Sequence, residues 1–190
     1  MIEQSGVTWR LVTHAIVSAE GRIARADGSM PDCLHVAEDQ RRFQAALADA
    51  RLTVLGREGH GRHLARRPRL VLTSRVETFE VQVEGGVPVA YWNPAAVAAA
   101  AAFARAAAEG GTLAIAGGTR VMTALLSVTD RFDLAVAHEC RIPGGRPCLE
   151  GADDLAGVEA AILGAGLRRT GTEWLTPGVE LRVFERANGA

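Results

Sequence analysis

The sequence contains few cysteines, and their spacing argues against the common cysteine-based sites. Three are present, Cys33, Cys140 and Cys148, and no two of them form a Cys-x-x-Cys pair. This number and spacing favour reduced thiols in a cytoplasmic protein over a disulfide framework or a zinc site, and we expect the three side chains to be small apolar fillers. His60 and His63 have metal-like spacing on a helix, but no carboxylate or cysteine completes a ligand set, so we interpret them as surface histidines and predict no metal.

Neither an excess of charge nor a long hydrophobic run is present. The chain has 21 basic and 22 acidic residues, a net charge of −1 and no run of like charge, which argues against nucleic acid or an anionic membrane as partner. The most apolar window, residues 95–108, contains Arg105 and is shorter than the about 20 residues that cross a bilayer. The start of the chain lacks the basic-then-apolar order of a signal peptide. A small molecule is therefore the expected partner.

Apolar residues, by contrast, are plentiful and follow an alternating strand and helix pattern. With 190 residues, 48% of them hydrophobic, the chain is predicted to form one domain over residues 1–190, with loose ends at 1–7 and 187–190. The predicted strands are residues 8–19, 51–55, 69–73, 87–91, 112–116 and 131–139, followed by a terminal antiparallel hairpin of residues 167–172 and 179–186. The predicted helices are residues 37–50, 94–109 with Asn93 as cap, a helix from Thr119, and 153–163. This order predicts an α/β fold with a mainly parallel sheet and helices on both faces.

The stretch that promises a ligand site is residues 112–126, TLAIAGGTRVMTALL. It reads as a buried strand, a turn at Gly117 and Gly118, and a helix beginning at Thr119. Glycines without a Cβ let the backbone approach a ligand closely, and the first N–H groups of a helix attract phosphate. The alternative is that the two glycines only turn the chain.

Several segments in this order resemble the dihydrofolate reductase-like superfamily, and within it the reductase domain of riboflavin-biosynthesis pyrimidine deaminase/reductases. They are residues 18–24 (SAEGRIA), the helix with Asp39 and Phe43, residues 48–57 (ADARLTVLGR), residues 67–74 (RPRLVLTS), the Ala-Gly-Gly-Thr turn and residues 183–186 (VFER). The resemblance implies NADPH lying across the carboxyl ends of the strands and hydride transfer to a pterin- or pyrimidine-like substrate. It is also compatible with a homodimer.

The resemblance also implies roles for individual residues. Gly117 and Gly118 match a cofactor-contacting glycine pair that is joined by a cis peptide in folate reductases, and Arg57 matches the residue that holds the cofactor 2′-phosphate. The full implied cofactor site is Ile16, Ile23, Ala24, Gly56, Arg57, Thr73, Ser74, Arg75, Gly117, Gly118, Thr119, Arg120 and Val121. Asp39 matches the catalytic acid, and the implied substrate contacts are Met30, Asp32 and Phe43. Asp39 has an alternative role as a first-turn acid that favours the helix dipole.

Departures from the folate reductase pattern bear on the substrate. Asp32 follows Pro31 where those enzymes have a tryptophan, and Ala137 stands where they carry a threonine bonded to the acid. The segment 20–24 (EGRIA) resembles the pyrimidine reductases instead, whose substrate carries a ribose phosphate. Arg22, Arg25 or Arg146 could bind that phosphate. Three functions follow: 5-amino-6-(5-phosphoribosylamino)uracil reductase, dihydrofolate reductase, or an inactive NADPH-binding protein of the same fold.

Overall fold

A ten-stranded, mixed sheet forms the centre of the structure, a computed structural model that describes residues 1–62 and 64–187. The strands are β1 (Ile2–Gln4), β2 (Val7–Ser18), β3 (Arg22–Ala24), β4 (Leu52–Gly56), β5 (Arg69–Leu72), β6 (Phe79–Glu84), β7 (Val87–Trp92), β8 (Gly111–Ile115), β9 (Arg131–Ala137), β10 (Arg146–Pro147), β11 (Leu167–Thr176) and β12 (Val179–Arg186). The helices are α1 (Ala37–Asp49), α2 (Arg57–Arg62), α3 (Ala99–Ala106), α4 (Thr119–Leu125) and α5 (Leu155–Gly164). His63, one of the two predicted surface histidines, lies outside the described residues.

The strand order is β11-β12-β9-β2-β8-β4-β5-β7-β6, and β1 pairs with β2. The six strands from β9 to β7 run parallel, while β12, β11 and β6 are antiparallel to their neighbours. A separate two-stranded ladder joins β10 to β3. The predicted α/β class, the mainly parallel centre and the closing antiparallel hairpin are confirmed.

The core of the protein lies on both faces of this sheet. β2 is rich in β-branched and apolar residues, as a strand covered on both faces should be. The larger hydrophobic cluster includes Trp9, Phe103 and Phe132, each with at most 1% of its surface exposed. Smaller clusters around Leu181 and Val71 lie apart from it. In contrast, α1 has no fully buried residue, which leaves room between this helix and the sheet.

Three element predictions are corrected. Residues 1–7 are not a loose end, because β1 forms a hairpin with β2. The helix predicted from Pro94 begins only at Ala99: the Asn93 side chain accepts a hydrogen bond from the Ala95 N–H at 3.1 Å and forms a local turn instead of a helix cap. β6 was not predicted, since it is an edge strand with little burial.

The expectation of reduced thiols is also wrong for two cysteines. Cys33 and Cys140 form a disulfide although 107 residues separate them, with their Cα atoms 5.5 Å apart. Folding brings the 3₁₀ turn before α1 against the segment after β9, a contact that spacing in sequence does not reveal. The bridge removes the cysteine argument for a cytoplasmic location. Cys148 is a buried filler as predicted, and burial raises the pKa of its thiol to about 12.

Among the described residues, no helix is long and apolar enough to span a bilayer.

Candidate active site

A cleft of about 1930 Å³ runs along the carboxyl ends of the parallel strands. This is the edge where open α/β sheets bind their ligands. Of the predicted site residues, the structure brings these to its walls: Ile16, Ile23, Ala24, Met30, Asp39, Phe43, Gly56, Arg57, Thr73, Ser74, Arg75, Gly117, Gly118, Thr119, Arg120 and Val121. Asp32 is not among them. It lies exposed in the turn before α1, where its carbonyl accepts the His35 N–H at 2.9 Å.

The glycine turn joins β8 to α4 in the middle of the cleft. Gly117 and Gly118 have φ angles of 100° and 86°, a region that favours glycine. A Cβ at Gly117 would meet no atom within 4 Å, so the surface of the turn is open toward the cleft. The cis peptide expected between the two glycines is absent from the described residues, and the positive φ angles reverse the chain without it. Gly56 allows β4 to approach α4, because a Cβ there would lie 3.3 Å from Val121.

The loop after β2 is held in place at the opposite wall. Ile23 and Ala24 lie in β3, which pairs with β10. The Cys148 N–H donates to the Gly21 carbonyl at 3.0 Å, and the Arg146 guanidinium donates to the Ala26 carbonyl at 3.1 Å. Arg146 lines the cleft, unlike the other two candidate phosphate ligands. Arg22 donates to the Asp153 carbonyl at 2.6 Å, and Arg25 approaches the Ser29 hydroxyl at 3.3 Å.

Positive charge is concentrated in the cleft of this nearly neutral chain. Nine arginines but only four acidic residues line it, so its potential favours an anionic ligand. All 21 basic side chains of the sequence are arginines. Among the described residues, neither Arg57 nor Arg75 forms an ion pair, and both lie beside the ends of β4 and β5. The Thr73 hydroxyl accepts the Arg75 N–H at 3.1 Å and shapes this end of the cleft.

Asp39 lies in the space between α1 and the sheet. Its pKa is raised from 3.8 to about 6, chiefly by burial and to a smaller extent by Asp133, against the opposing effect of Arg42. The part of the chain that the structure describes donates no hydrogen bond to the Asp39 carboxyl. The neighbouring Glu38 instead pairs with Arg41 at 2.8 Å and does not line the cleft. Asp39 is therefore a carboxyl that can hold or release a proton close to neutral pH.

A polar group on the sheet below Asp39 was missed by sequence reasoning. His14 on β2 stands in register with Asp133 on β9, and both line the cleft. The His14 Nδ1 lies 3.6 Å from an Asp133 oxygen, and Arg131 donates to Asp133 at 2.7 Å. The two strands are far apart in sequence, so only the pairing of β2 with β9 could have revealed this group.

The histidines differ in their hydrogen-bond partners. His138 has a neighbouring partner, with its Nε2 3.1 Å from Glu180. His14 does not, because its Nε2 is buried without a hydrogen-bond partner in the described part of the chain. His60 is not a surface histidine: its ring lies 3.1 Å from Glu84 and 3.0 Å from the Tyr91 hydroxyl. These contacts attach α2 to β6 and β7 and so help to position Arg57.

Among the described residues, no group of three or more histidine, cysteine, aspartate or glutamate side chains is arranged to hold a metal ion. The electrostatic features of the cleft come from its own acids and arginines. Its two ends differ: the end at β4 and β5 is basic, and the end under α1 combines Asp39 with the aromatic ring of Phe43. Such an arrangement can hold a phosphate-bearing ligand at one end and a flat polar ring at the other.

Comparison with solved structures identifies the fold. A dihydrofolate reductase from Enterococcus faecalis, complexed with NADP(H) and RAB-propyl, matches with a TM-score of 0.65 and 20% identity, over 96% of this chain and 99% of that one. A protein named for riboflavin biosynthesis from Shewanella sp. PV-4 matches with a TM-score of 0.65 and 15% identity, over 94% and 99%.

A third match is a diaminohydroxyphosphoribosylaminopyrimidine deaminase/5-amino-6-(5-phosphoribosylamino)uracil reductase from Thermotoga maritima. Its TM-score is 0.64 at 13% identity, and the match covers 95% of this chain but 57% of that protein. No protein-family model matches the sequence, and no curated protein is significantly similar to it. The chain has the dihydrofolate reductase-like fold.

Proposed function

We propose that this protein is an NADPH-dependent reductase that transfers a hydride to a pyrimidine- or pterin-like heterocycle. Its nearest functional analogue would be 5-amino-6-(5-phosphoribosylamino)uracil reductase, a riboflavin-biosynthesis enzyme, acting in the cytoplasm as one domain. The proposal is carried by three features that meet in one cleft: the open glycine turn, the half-buried Asp39 carboxyl whose pKa is about 6, and Arg57 and Arg75, which form no ion pair among the described residues. The fold and the solved relatives support the same class of reaction.

The residues of the cleft fit NADPH. The turn at Gly117 and Gly118 has space in front of it for a pyrophosphate, and it leads into α4. Arg57 and Arg75, with Ser74 between the strand end and Arg75, suit a 2′-phosphate, because a guanidinium binds phosphate oxygens in pairs. Ile16 and Ile23 offer an apolar surface for the nicotinamide. When bound, NADPH supplies the hydride.

Asp39 provides the proton for the reaction. Hydride addition to the carbon of a C=N bond leaves an electron pair and negative charge on the nitrogen, which must then be protonated. A carboxyl with a pKa of about 6 is protonated in a sizeable fraction of molecules near neutral pH and can deliver that proton, then recover it from solvent. Phe43 lies one turn further along α1 and can pack against the flat ring.

The substrate's phosphate is the feature that separates the two heterocycle classes. Arg146 is the candidate ligand that lines the cleft, and its guanidinium already pairs with Glu58 at 2.6 Å. A ribose phosphate binding there would compete with Glu58 for the same cation. This proposal favours the phosphoribosyl pyrimidine over dihydrofolate, which has no phosphate.

The test is NADPH oxidation, followed by its absorbance, with 5-amino-6-(5-phosphoribosylamino)uracil and with dihydrofolate as separate substrates. Turnover of the pyrimidine supports the proposal, and turnover of dihydrofolate alone supports the second function, a dihydrofolate reductase. Tight NADPH binding with neither substrate turned over on a broad panel of heterocycles would indicate a catalytically inactive binding protein. Failure to bind NADPH would contradict all three.

A further inference from the structure

The floor of the pocket under α1 contains a histidine that the reduction step just described does not use. His14 lies on β2, at the centre of the sheet, and its ring centroid is 6.0 Å from that of Phe43. The same cleft surface includes Asp39 and Arg42 from α1 and Asp133 from β9. Of the charged groups, Asp133, Arg42 and Arg131, which donates to Asp133, act on His14.

The His14 Nε2 atom is buried and, within the described residues, has no hydrogen-bond partner. Leaving a buried polar atom unsatisfied destabilises the fold, and most buried polar side-chain atoms in proteins are therefore paired. The unpaired atom belongs to a side chain that lines a ligand-sized cleft. A ligand donor that reaches this atom from the cleft would satisfy it.

The surroundings of His14 determine what kind of atom that partner must be. Asp133 lies on the Nδ1 side at 3.6 Å, too long for a hydrogen bond but close enough to favour a proton on Nδ1. Arg131 donates to one Asp133 oxygen at 2.7 Å and approaches the other at 3.4 Å, which fixes the carboxylate. Burial lowers the pKa of His14, and Arg131 and Arg42 lower it further against the opposing effect of Asp133. A neutral ring with its proton on Nδ1 presents a lone pair at Nε2.

We infer that His14 is a substrate-binding residue whose Nε2 accepts a hydrogen bond from an N–H or O–H group of the substrate, and that Asp133 is the residue that positions it. This inference rests on the proposed function and narrows it. The Asp39 carboxyl on α1 and the His14 Nε2 acceptor on β2 then face the substrate from two walls of one pocket. His14 selects a heterocycle that displays an amine donor at this edge, such as an aminopyrimidine, over one that displays a carbonyl or a methyl group there.

The test uses the full chain, labelled with ¹⁵N in its histidines, at pH 8 where His14 is neutral. Long-range ¹H–¹⁵N spectra assign the tautomer, and a His14→Gln sample identifies the His14 signals. We expect the Nδ1–H tautomer in the free protein. Saturation with 5,6-diaminouracil, a small probe with two exocyclic amines, should move the Nε2 resonance upfield by more than 5,6-dimethyluracil does, since the latter keeps only the two ring N–H donors.

Binding constants complete the test. The native protein should bind 5,6-diaminouracil about tenfold more tightly than 5,6-dimethyluracil, since one neutral hydrogen bond accounts for a factor of this order. His14→Phe keeps a ring against Phe43 but has no acceptor, and it should lose this preference. His14→Gln, whose amide oxygen can reach a similar position, should recover part of it. The preference between two probes is insensitive to a general loosening of the fold, so a purely structural role for His14 would leave it unchanged.

The inference is overturned by an Nε2–H tautomer in the free protein, by an unmoved Nε2 resonance at saturation, by an unchanged preference in His14→Phe, or by failure of 5,6-diaminouracil to bind. None of these outcomes depends on NADPH. NADPH affinity and oxidation, measured on the same samples, report on the proposed function separately. A protein that shows the probe effects but does not bind NADPH would contradict the proposed function alone.

Discussion

Asp39→Asn replaces an ionisable carboxyl by a neutral group of nearly the same shape, at a site where burial raises the pKa of the acid from 3.8 to about 6. Below about pH 3 this acid is protonated in both the folded and the unfolded chain and has little effect on stability. As the pH rises from about 3 to 6, the unfolded chain ionises first, and the folded state loses stability relative to it. Above pH 6 the loss is complete, at about 3 kcal/mol.

The asparagine side chain does not ionise and avoids this loss. At pH 8 the variant should therefore have a free energy of unfolding about 3 kcal/mol higher than that of the native protein, and at about pH 3 the two should be nearly equal. Urea unfolding at both pH values measures the difference. If the two proteins are equally stable at pH 8, Asp39 titrates near its ordinary value, and the reason for regarding it as a proton donor is removed.

The catalytic activity of Asp39→Asn should fall, although its stability at pH 8 should rise. Loss of a general acid typically reduces the rate by 10²–10⁴-fold, so kcat of Asp39→Asn should fall by about that factor while NADPH affinity stays nearly constant. In the native protein the rate should decrease about tenfold per pH unit above pH 6, because only the protonated acid can donate. Glu38→Gln is the matched control: its carboxylate pairs with Arg41 outside the cleft, and it should change neither quantity. Full activity in Asp39→Asn would refute the acid role.

Three further predictions concern other parts of the structure. Gly118→Val should abolish NADPH binding in titrations while circular dichroism shows a folded protein, because a side chain would project from the open turn; unchanged affinity would reject that site. Arg57→Ala should weaken NADPH by about 10–100-fold and leave NADH nearly unaffected, and Arg168→Ala on the exposed edge strand β11 should affect neither; equal losses for both cofactors would contradict the 2′-phosphate role. Cys33→Ser should lower the free energy of unfolding by about 2–4 kcal/mol, because its disulfide to Cys140 closes a loop of 107 residues. Adding a thiol reductant should abolish that difference, and a difference that persists under reductant would show that the bridge is not its cause.

Local features of the fold could be predicted from the sequence, and contacts between distant segments could not. The strand, glycine turn and helix from Gly111 to Leu125 follow from apolar patterning and from two adjacent glycines, both of which act over a few residues. Asn93 and Pro94 gave a wrong helix start, because an asparagine side chain can either cap a helix or close a local turn. Only the packing around the asparagine determines which of the two forms. The contacts between distant segments depend on which strands become neighbours in the sheet.

The polar group under α1 and the disulfide illustrate that limit. His14 and Asp133 become neighbours because β9 pairs with β2, and Cys33 meets Cys140 because the turn before α1 is packed against the end of β9. Nothing in the residues beside them signals either contact. The same holds for the charge of the cleft, since arginines scattered through a nearly neutral chain converge on one edge of the sheet only after folding.

The positively charged wall of the cleft contains arginines and no lysines, so its charge resists both high pH and the chemical modification of amines. A guanidinium keeps its proton at any pH that a protein survives, so alkaline conditions that would discharge lysines leave the attraction for phosphate intact. Lysine acetylation, a common way for cells to neutralise such surfaces, has no side chain to act on in this sequence. Amine-acylating reagents should likewise spare NADPH binding, whereas dicarbonyl reagents that modify guanidinium groups should abolish it, and bound NADPH should protect against them.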